Sequence, residues 1–436
     1  LSIIPAFKGK ILTGPDAARI EETIRKSMNP EFSRALDAIS NVNAVGRYFN
    51  LAGDISVAGI QLIFLAGQNP KIYGKALLGF VQSFFDTTAH ARYLASKREL
   101  IQRHPDLILS MGGTEFTEAL SKGGILEQGP LKVMGRPLQP FQRGFQRALD
   151  IAGIEMARSL EHMAKNAADI SELDSFVNEF RGLLSTKRLG VNPKMRQVET
   201  VVLLAPQYNR AIGALVVDAL RGAAETPLGL MGRQTSLRGQ LARDGLAKGM
   251  GAVAAMTVAI GIMRGEPIEQ IADHLNPGSD NFLTWDVAEQ RIGIGSKVRS
   301  LLKLWAESAE NPEDLLRLSM ANPALRFVRA NLSYVPSSGI DLLTGRDYVG
   351  DPTRDGMLTV TRKVIVENLL PVWVNSVLWE GSDIQQRLFR GAMEFVGGRA
   401  YPRSLASRRN ELREQLSQKV HGQAWGDLTW QKRERL

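Results

Sequence analysis

Apolar residues recur at helical spacing along most of the chain. Ile20, Ile24 and Met28 lie four apart, flanked by Arg and Glu. Leu149, Ile151, Ile154, Met156, Leu160 and Met163 form a second stripe, and Arg147, Glu155, Arg158 and Glu161 are assigned to its opposite, solvated side. Val198, Val201, Val202 and Leu204 lead into Ala205-Pro206, where proline predicts a break, and a new helix is expected from Tyr208 to Leu220. Strand patterning is sparse. Phe282–Val287 followed by Gln290–Ile294 predicts a short hairpin turning near Ala288 and Glu289. The fold class expected is mainly α, a multi-helical array with at most one small β-hairpin.

Asn-Pro pairs punctuate the pattern, at 29–30, 69–70, 192–193, 276–277, 311–312 and 322–323. Asparagine accepts a hydrogen bond from a backbone N–H that the first helical turn leaves unpaired. Proline at the next position loses nothing, because its own missing N–H would be unpaired there. All but one of these pairs predict helix starts. Asn276-Pro277 is followed at once by Gly278 and reads as a turn. Three regions follow: helical residues 1–230, an apolar helix plus hairpin at 231–300, and helical residues 301–436 ending in a basic tail.

Gly249–Met263 carries no charge and is bracketed by Lys248 and Arg264. Gly251, Ala255 and Ala259 share one helical face, a spacing that lets another helix or a membrane neighbour approach closely. As a helix this run spans about 22 Å at ~1.5 Å per residue. A bilayer core needs about 30 Å. Length therefore favours a buried core helix, with membrane insertion and a subunit interface as the alternatives. Ile55–Pro70 is a second charge-free run and is also short.

The net charge is +9 and the pI about 9.7. Such a balance suits a polyanionic neighbour. Between Arg399 and Leu436 nine basic residues face four acidic ones. Arg399, Arg403, Arg408, Arg409, Arg413, Lys419, Lys432 and Arg433 are the candidate DNA or phosphate contacts, against the plainer reading of a solvated helix pair. Trp425 and Trp430 lie among them, suited to packing on a neighbouring helix or to base stacking. No cysteine occurs, which excludes disulfides, thiol catalysis and cysteine-held metals.

Candidate chemistry is thin. His90, His104, His162, His274 and His421 are widely separated and are read as surface or capping residues. Gly293-Ile-Gly-Ser-Lys297 lacks the spacing of a phosphate loop. Glu155 with Glu161, or Glu172 with Asp174, are read as solvated helix charges rather than acid–base pairs. No catalytic residue, cofactor or metal ligand is assigned, and an enzyme is not expected.

Two stretches carry a resemblance. Leu189–Arg210 contains Leu-Gly, Pro193, Glu199, Ala205-Pro206, Tyr208 and Arg210 in order. Ile340–Pro352 reads Ile-Asp-Leu-Leu-Thr-Gly-Arg-Asp-Tyr-Val-Gly-Asp-Pro, followed by Leu370-Pro371 and Glu394–Pro402. Together they resemble the large internal-virion (ejection) proteins of tailed bacteriophages and the related large polyvalent proteins of phages. Leu204 and Tyr348 depart from that pattern, which has phenylalanine at both. The likeness covers roughly residues 180–436. It implies a window on a longer protein, stored in the capsid near the portal or the DNA and then delivered to the host envelope or cytoplasm. It also implies, as partners, other copies of the chain, the portal or other ejection proteins, double-stranded DNA and the host membrane. A channel-forming segment and a co-injected anti-defence protein are the alternatives, ahead of a peptidoglycan hydrolase or a nucleic-acid-processing domain. No catalytic residue carries over. Thr344-Gly345 reads as a helix exit with glycine as a left-handed cap, and Gly350-Asp351-Pro352 as a tight turn.

Overall fold

A computed structural model describes residues 43, 56–109, 139–184, 193–231, 235–287, 290–294, 296–317, 322–346, 352–353, 356, 360–361, 384, 399–401, 405–423 and 425. Among them the chain is mainly helical with one small antiparallel sheet, as the periodicity predicts. The helices are α1 (Ser56–Gln68), α2 (Pro70–Phe85), α3 (Ala89–Ser96), α4 (Arg98–Arg103), α5 (Gln139–Leu160), α6 (Ala167–Phe180) and α7 (Pro193–Val202). They continue with α8 (Pro206–Leu230), α9 (Leu237–Met263), α10 (Ile268–Leu275), α11 (Ser296–Glu310), α12 (Pro323–Arg329), α13 (Tyr334–Thr344) and α14 (Leu405–His421). The strands are β1 (Thr284–Val287), β2 (Gln290–Gly293) and β3 (Arg399–Tyr401).

The Asn-Pro pairs act largely as expected. The Asn69 side chain accepts from Ile72 N at 3.2 Å and starts α2. Asn322 accepts from Ala324 N and Leu325 N and starts α12. Pro193 opens α7. Asn311-Pro312 opens only a short 3₁₀ turn, Pro312–Leu316. Asn276 folds into a turn in which its carboxamide accepts from Gly278 N at 3.0 Å. Asn29-Pro30 and the Ile20–Met28 stripe lie outside the described residues. The break at Ala205-Pro206 separates α7 from α8, which begins at Pro206 and runs on to Leu230. Gly345 ends α13 at φ 71°, the left-handed cap expected of it. The tight turn expected at 350–352 falls mostly outside the described residues.

The core is one cluster running from Leu62 to Val298, so it crosses the regional boundary expected near residue 231. At one end α2 lies along α5, with Phe80 against Gly144 and Ile151 against Gly79. Helix α5 is enclosed almost all round from Gly144 to Ala157. That corrects the assignment of Arg147 to a solvated side, because it is only 7% exposed. The amphipathic pattern is real, but α2, α6 and α1 contact the helix from several directions and bury its polar residues too.

The hairpin pairs Trp285 with Ile292, and its turn at 288–289 lies outside the described residues. A third strand from far along the chain, β3, pairs Ala400 with Ile292. Phe282, Leu283, Trp285, Ile292 and Ile294 are buried beneath it.

Helix α9 is the hub, packing on α8, α1, α6 and α10. Gly245, Gly249, Val253, Thr257 and Gly261 recur every four residues and are buried. Gly249 lies against Phe64 of α1, and Gly245 against Phe176 and Phe180 of α6. Near its start Gly239 meets Gly222 of α8 so closely that a β-carbon on Gly222 would lie 2.0 Å from the Gly239 carbonyl oxygen. Ser236 caps the helix, its hydroxyl accepting from Gly239 N at 3.2 Å. The Glu172 carboxylate of α6 accepts from Arg238 N at 2.9 Å, placing a negative charge at the positive end of the helix dipole.

A paired substitution separates the two sides of α9. Gly249→Leu drives a side chain into Phe64 and is expected to cost about 1–3 kcal/mol or more through overpacking. Gly251→Ala points into open space and should be neutral or stabilise by up to about 1 kcal/mol through helix propensity. Urea unfolding of the two variants checks the contrast, and equal effects would contradict this packing.

Candidate functional site

The residues singled out from sequence fall in two places. Gly251, Ala255 and Ala259 are exposed. They sit two positions along from the buried row, about 200° round the helix at 3.6 residues per turn. Among the described residues, therefore, α9 does not pack through them, and the row that does is Gly245 to Gly261. Met256, Ile262 and Met263 flank the exposed row and are 40%, 66% and 78% exposed. Part of the apolar stretch of α9 is thus exposed among the described residues, and the helix is long and apolar enough by composition to cross a membrane. The whole helix of 27 residues spans about 40 Å at ~1.5 Å per residue, well beyond the charge-free run alone.

The basic end is partly described. Arg399 lies in β3, and Arg408 and Arg409 lie in α14. Arg413 and Lys419 are exposed on α14. Arg413 stacks over the Trp425 ring at 5.3 Å, so this tryptophan lies against α14. Arg403, Lys432, Arg433 and Trp430 lie outside the described residues. The structure does not gather the basic residues into a single described surface.

Buried polar chemistry lies elsewhere. Arg181 is fully buried at the end of α6, where Gly182 at φ 74° turns the chain. Gly182 N bonds Glu179 O and Leu183 N bonds Asn178 O, closing the last turn. The Arg181 guanidinium donates to the carbonyls of Leu149 at 2.7 Å and Ile108 at 2.9 Å, and to the Asn178 side chain at 2.9 Å. It lies against the bare backbone of Gly153, where a β-carbon would collide with it. Burial lowers its pKa to about 10, and the carboxylates of Asp150 and Asp174 work the other way.

Those two carboxylates hold histidines. Asp150 meets His90 Nε2 at 2.9 Å, and Asp174 meets His104 Nδ1 at 2.6 Å and accepts from Asp106 N at 3.1 Å. His104 and His274 are both buried, so neither is a surface residue, while His104 is the C-cap of α4, in keeping with the capping alternative. Likewise Asp174 is wholly buried rather than solvated. Each buried histidine faces a hydrogen-bond acceptor, His104 at Asp174 and His274 at Asn281 O, 3.0 Å away. Local sequence gave no sign of this, since the partners lie far apart in the chain or in a loop. Glu155, read as solvated, takes hydrogen bonds from Lys75 at 2.6 Å and from Tyr93 at 3.0 Å. Burial opposes its ionisation, but these bonds and the Lys75 and Lys97 charges outweigh it and lower its pKa.

A carboxylate pair joins three helices. Glu179 of α6, 1% exposed, and Asp218 of α8 both face Arg238 of α9. Two negative charges share one cation out of water, so a proton is favoured on the pair. Burial first, then hydrogen bonding and repulsion from Asp218, push the Glu179 carboxyl up to about 8, against the pull of Arg238.

Residues 201–204, within the stretch Leu189–Arg210, are joined in space to residues 331–335. Leu203 forms an antiparallel bridge with Leu332. Leu204 N donates to Asn331 O at 3.0 Å, and Ser333 N donates to Val202 O at 2.7 Å. The Ser333 hydroxyl bonds Val201 O. Asn43 donates to the same carbonyl and accepts from Val335 N, each at 3.4 Å. Thr353 closes the end of α13 by donating to Gly345 O and Asp341 O. These contacts tie the first stretch to the segment leading into the second. Among the described residues no group of three or more His, Asp or Glu side chains is placed to hold a metal ion.

No family model, no curated protein and no solved structure matches the chain.

The carboxylate pair makes stability depend on pH. Glu179 binds a proton more tightly folded, at about 8, than at its ordinary 4.5, so its contribution is complete below 4.5 and is lost as pH rises towards 8. The unfolding free energy of wild type should fall across that window by up to about 1.4 kcal/mol per pH unit, read from thermal unfolding. Glu179→Gln should flatten the fall. An unchanged slope in that variant would rule the pair out as its source.

Proposed function

We propose that this chain is a structural part of a large internal-virion (ejection) protein of a tailed bacteriophage, carried in the capsid near the portal or DNA and delivered into the host envelope as the genome leaves. One observation carries the reading. The stretches resembling that family supply backbone joins between distant elements, at 201–204 with 331–335 and at β3 with β2. Residues used this way act as architecture.

The basic balance of the chain and the exposed cations of α14 favour contact with packaged DNA through phosphates, which is indifferent to sequence. A census by mass spectrometry of the purified source particle tests the proposal, together with electron microscopy of the portal region. The chain is expected in several copies per full particle and depleted from particles that have released their DNA. Its presence in infected cells but never in particles would defeat the reading.

A second reading has its own support. The exposed apolar part of α9 suits a segment that leaves the bundle and enters a bilayer after delivery. Its insertion would strip Gly249 and Gly245 from Phe64, Phe176 and Phe180. Anionic liposomes should then leak a trapped dye when the protein is added, and Ala255→Glu should abolish the leakage. Undiminished leakage by that variant would remove α9 from the process.

A further inference from the structure

Where α9 ends, the chain turns through Gly265, at φ 68°, into α10. This corner encloses a pair of titratable groups. His274 of α10 is buried, and so is the Glu266 side chain of the turn. His274 Nε2 lies 3.3 Å from Glu266 Oε2. Its Nδ1 lies 3.0 Å from the carbonyl oxygen of Asn281, in the loop leading to β1. The ring also packs near Trp285 of β1, with centroids 5.5 Å apart. One imidazole thus joins the end of α9, α10 and the hairpin.

Both polar atoms that the ring faces are acceptors. A neutral imidazole has one N–H and one lone pair. With the hydrogen on Nδ1, Asn281 is served and the Nε2 lone pair faces a carboxylate oxygen. With the hydrogen on Nε2, Glu266 is served and the Nδ1 lone pair faces a carbonyl. Each neutral tautomer therefore opposes two buried acceptors, which is costly out of water. Arg264 donates to the other oxygen of Glu266 at 2.6 Å, so Oε2 is the one left for the ring. Among the described residues neither Oε2 nor Nε2 has a further partner. The imidazolium donates from both nitrogens and satisfies both contacts at once.

The charges around the corner suit a cation there. Asp273, beside His274 on α10, accepts from the Asn281 carboxamide at 2.7 Å. Hydrogen bonds from Ser279 and Asn281 hold the Asp273 carboxyl below the usual range, and the charges of His274 and Lys303 add a smaller pull. The nearby cations of α11 and β2 have acids of their own, Lys303 with Asp280 and Arg291 with Asp286.

We infer that His274 and Glu266 form a proton-operated clasp that fastens the hairpin to the α9–α10 corner, closed when the ring is charged and loosened when it is neutral. Histidine changes charge near neutral pH, at about 6.5 when unperturbed, which suits it to sense pH. Because the closed form gains contacts by binding the proton, the clasp tightens as pH falls and loosens as pH rises.

Two measurements on the full chain between about pH 5 and pH 8 test the inference. Isotope labelling of the histidine nitrogens reads the charge of each ring by NMR, with His274→Gln assigning the signal. Hydrogen exchange of residues 276–287, corrected for the intrinsic amide rate, reads the opening of the loop and β1. It is expressed relative to α5, which reports any global loss from Glu179. The His274 ring should pass from two N–H groups to one, and the relative opening should rise about tenfold as it does. Glu266→Gln gives a neutral ring a carboxamide N–H to accept, so its relative opening should hold steady with pH. A His274 ring that keeps one charge state throughout, or a flat relative opening in wild type, overturns the proposal, and both are read without any variant folding. A folded Glu266→Gln chain with the wild-type pH response overturns it as well.

Discussion

Helix α9 can occupy the middle of the bundle because its packed side is rich in glycine, at 239, 245, 249 and 261. Helices whose contact positions are large keep their axes about 8–10 Å apart. With Gly239 facing Gly222, and Gly245 and Gly249 facing aromatic rings, the neighbours come in closer and dispersion contacts multiply along the seam. The arrangement trades helix propensity for contact, since each glycine costs about 1 kcal/mol against alanine in an isolated helix. It also leaves α9 with an unusual division, in which the glycine-rich side is the packed one and part of the apolar bulk is exposed among the described residues.

Around this seam the chain buries charge rather than avoiding it. Arg181 fastens α6 to α5 and to the segment after α4, and Arg238 fastens α9 to α6 and α8. Removing a charge from water is expensive, and such pairs seldom add net stability over apolar side chains of the same shape. Their effect is directional. A guanidinium that must reach particular carbonyls admits one register of helix against helix, whereas greasy surfaces would tolerate several.

Much of the architecture was legible in the sequence. Asn69-Pro70 and Asn322-Pro323 mark their helices because capping is a local transaction within a few residues. The hairpin strands were placed by alternation, and the α7–α8 break by Pro206. What sequence could not give was the side each helix turns inward. The spacing of Gly251, Ala255 and Ala259 is as good as that of Gly245 and Gly249, and only the positions of Phe64 and Phe176 decide between them. The burial of the histidines was missed for a related reason. His104 and Asp174 are partners across 70 positions, and no local pattern announces such a pair. The third strand was missed because residues 399–401 become a strand only by meeting β2.

The backbone bridge at Leu203 and Leu332 has a mechanical consequence. It rests on a handful of hydrogen bonds between segments more than a hundred positions apart, while the helices on either side hold themselves together internally. Tension on the chain would find these long-range joins before it found any helix, so the molecule can lengthen in steps, shedding its tertiary clasps while its rods stay wound. Reclosing each clasp means bringing distant ends together again, and the entropy of closing so large a loop makes that slower than rewinding a helix.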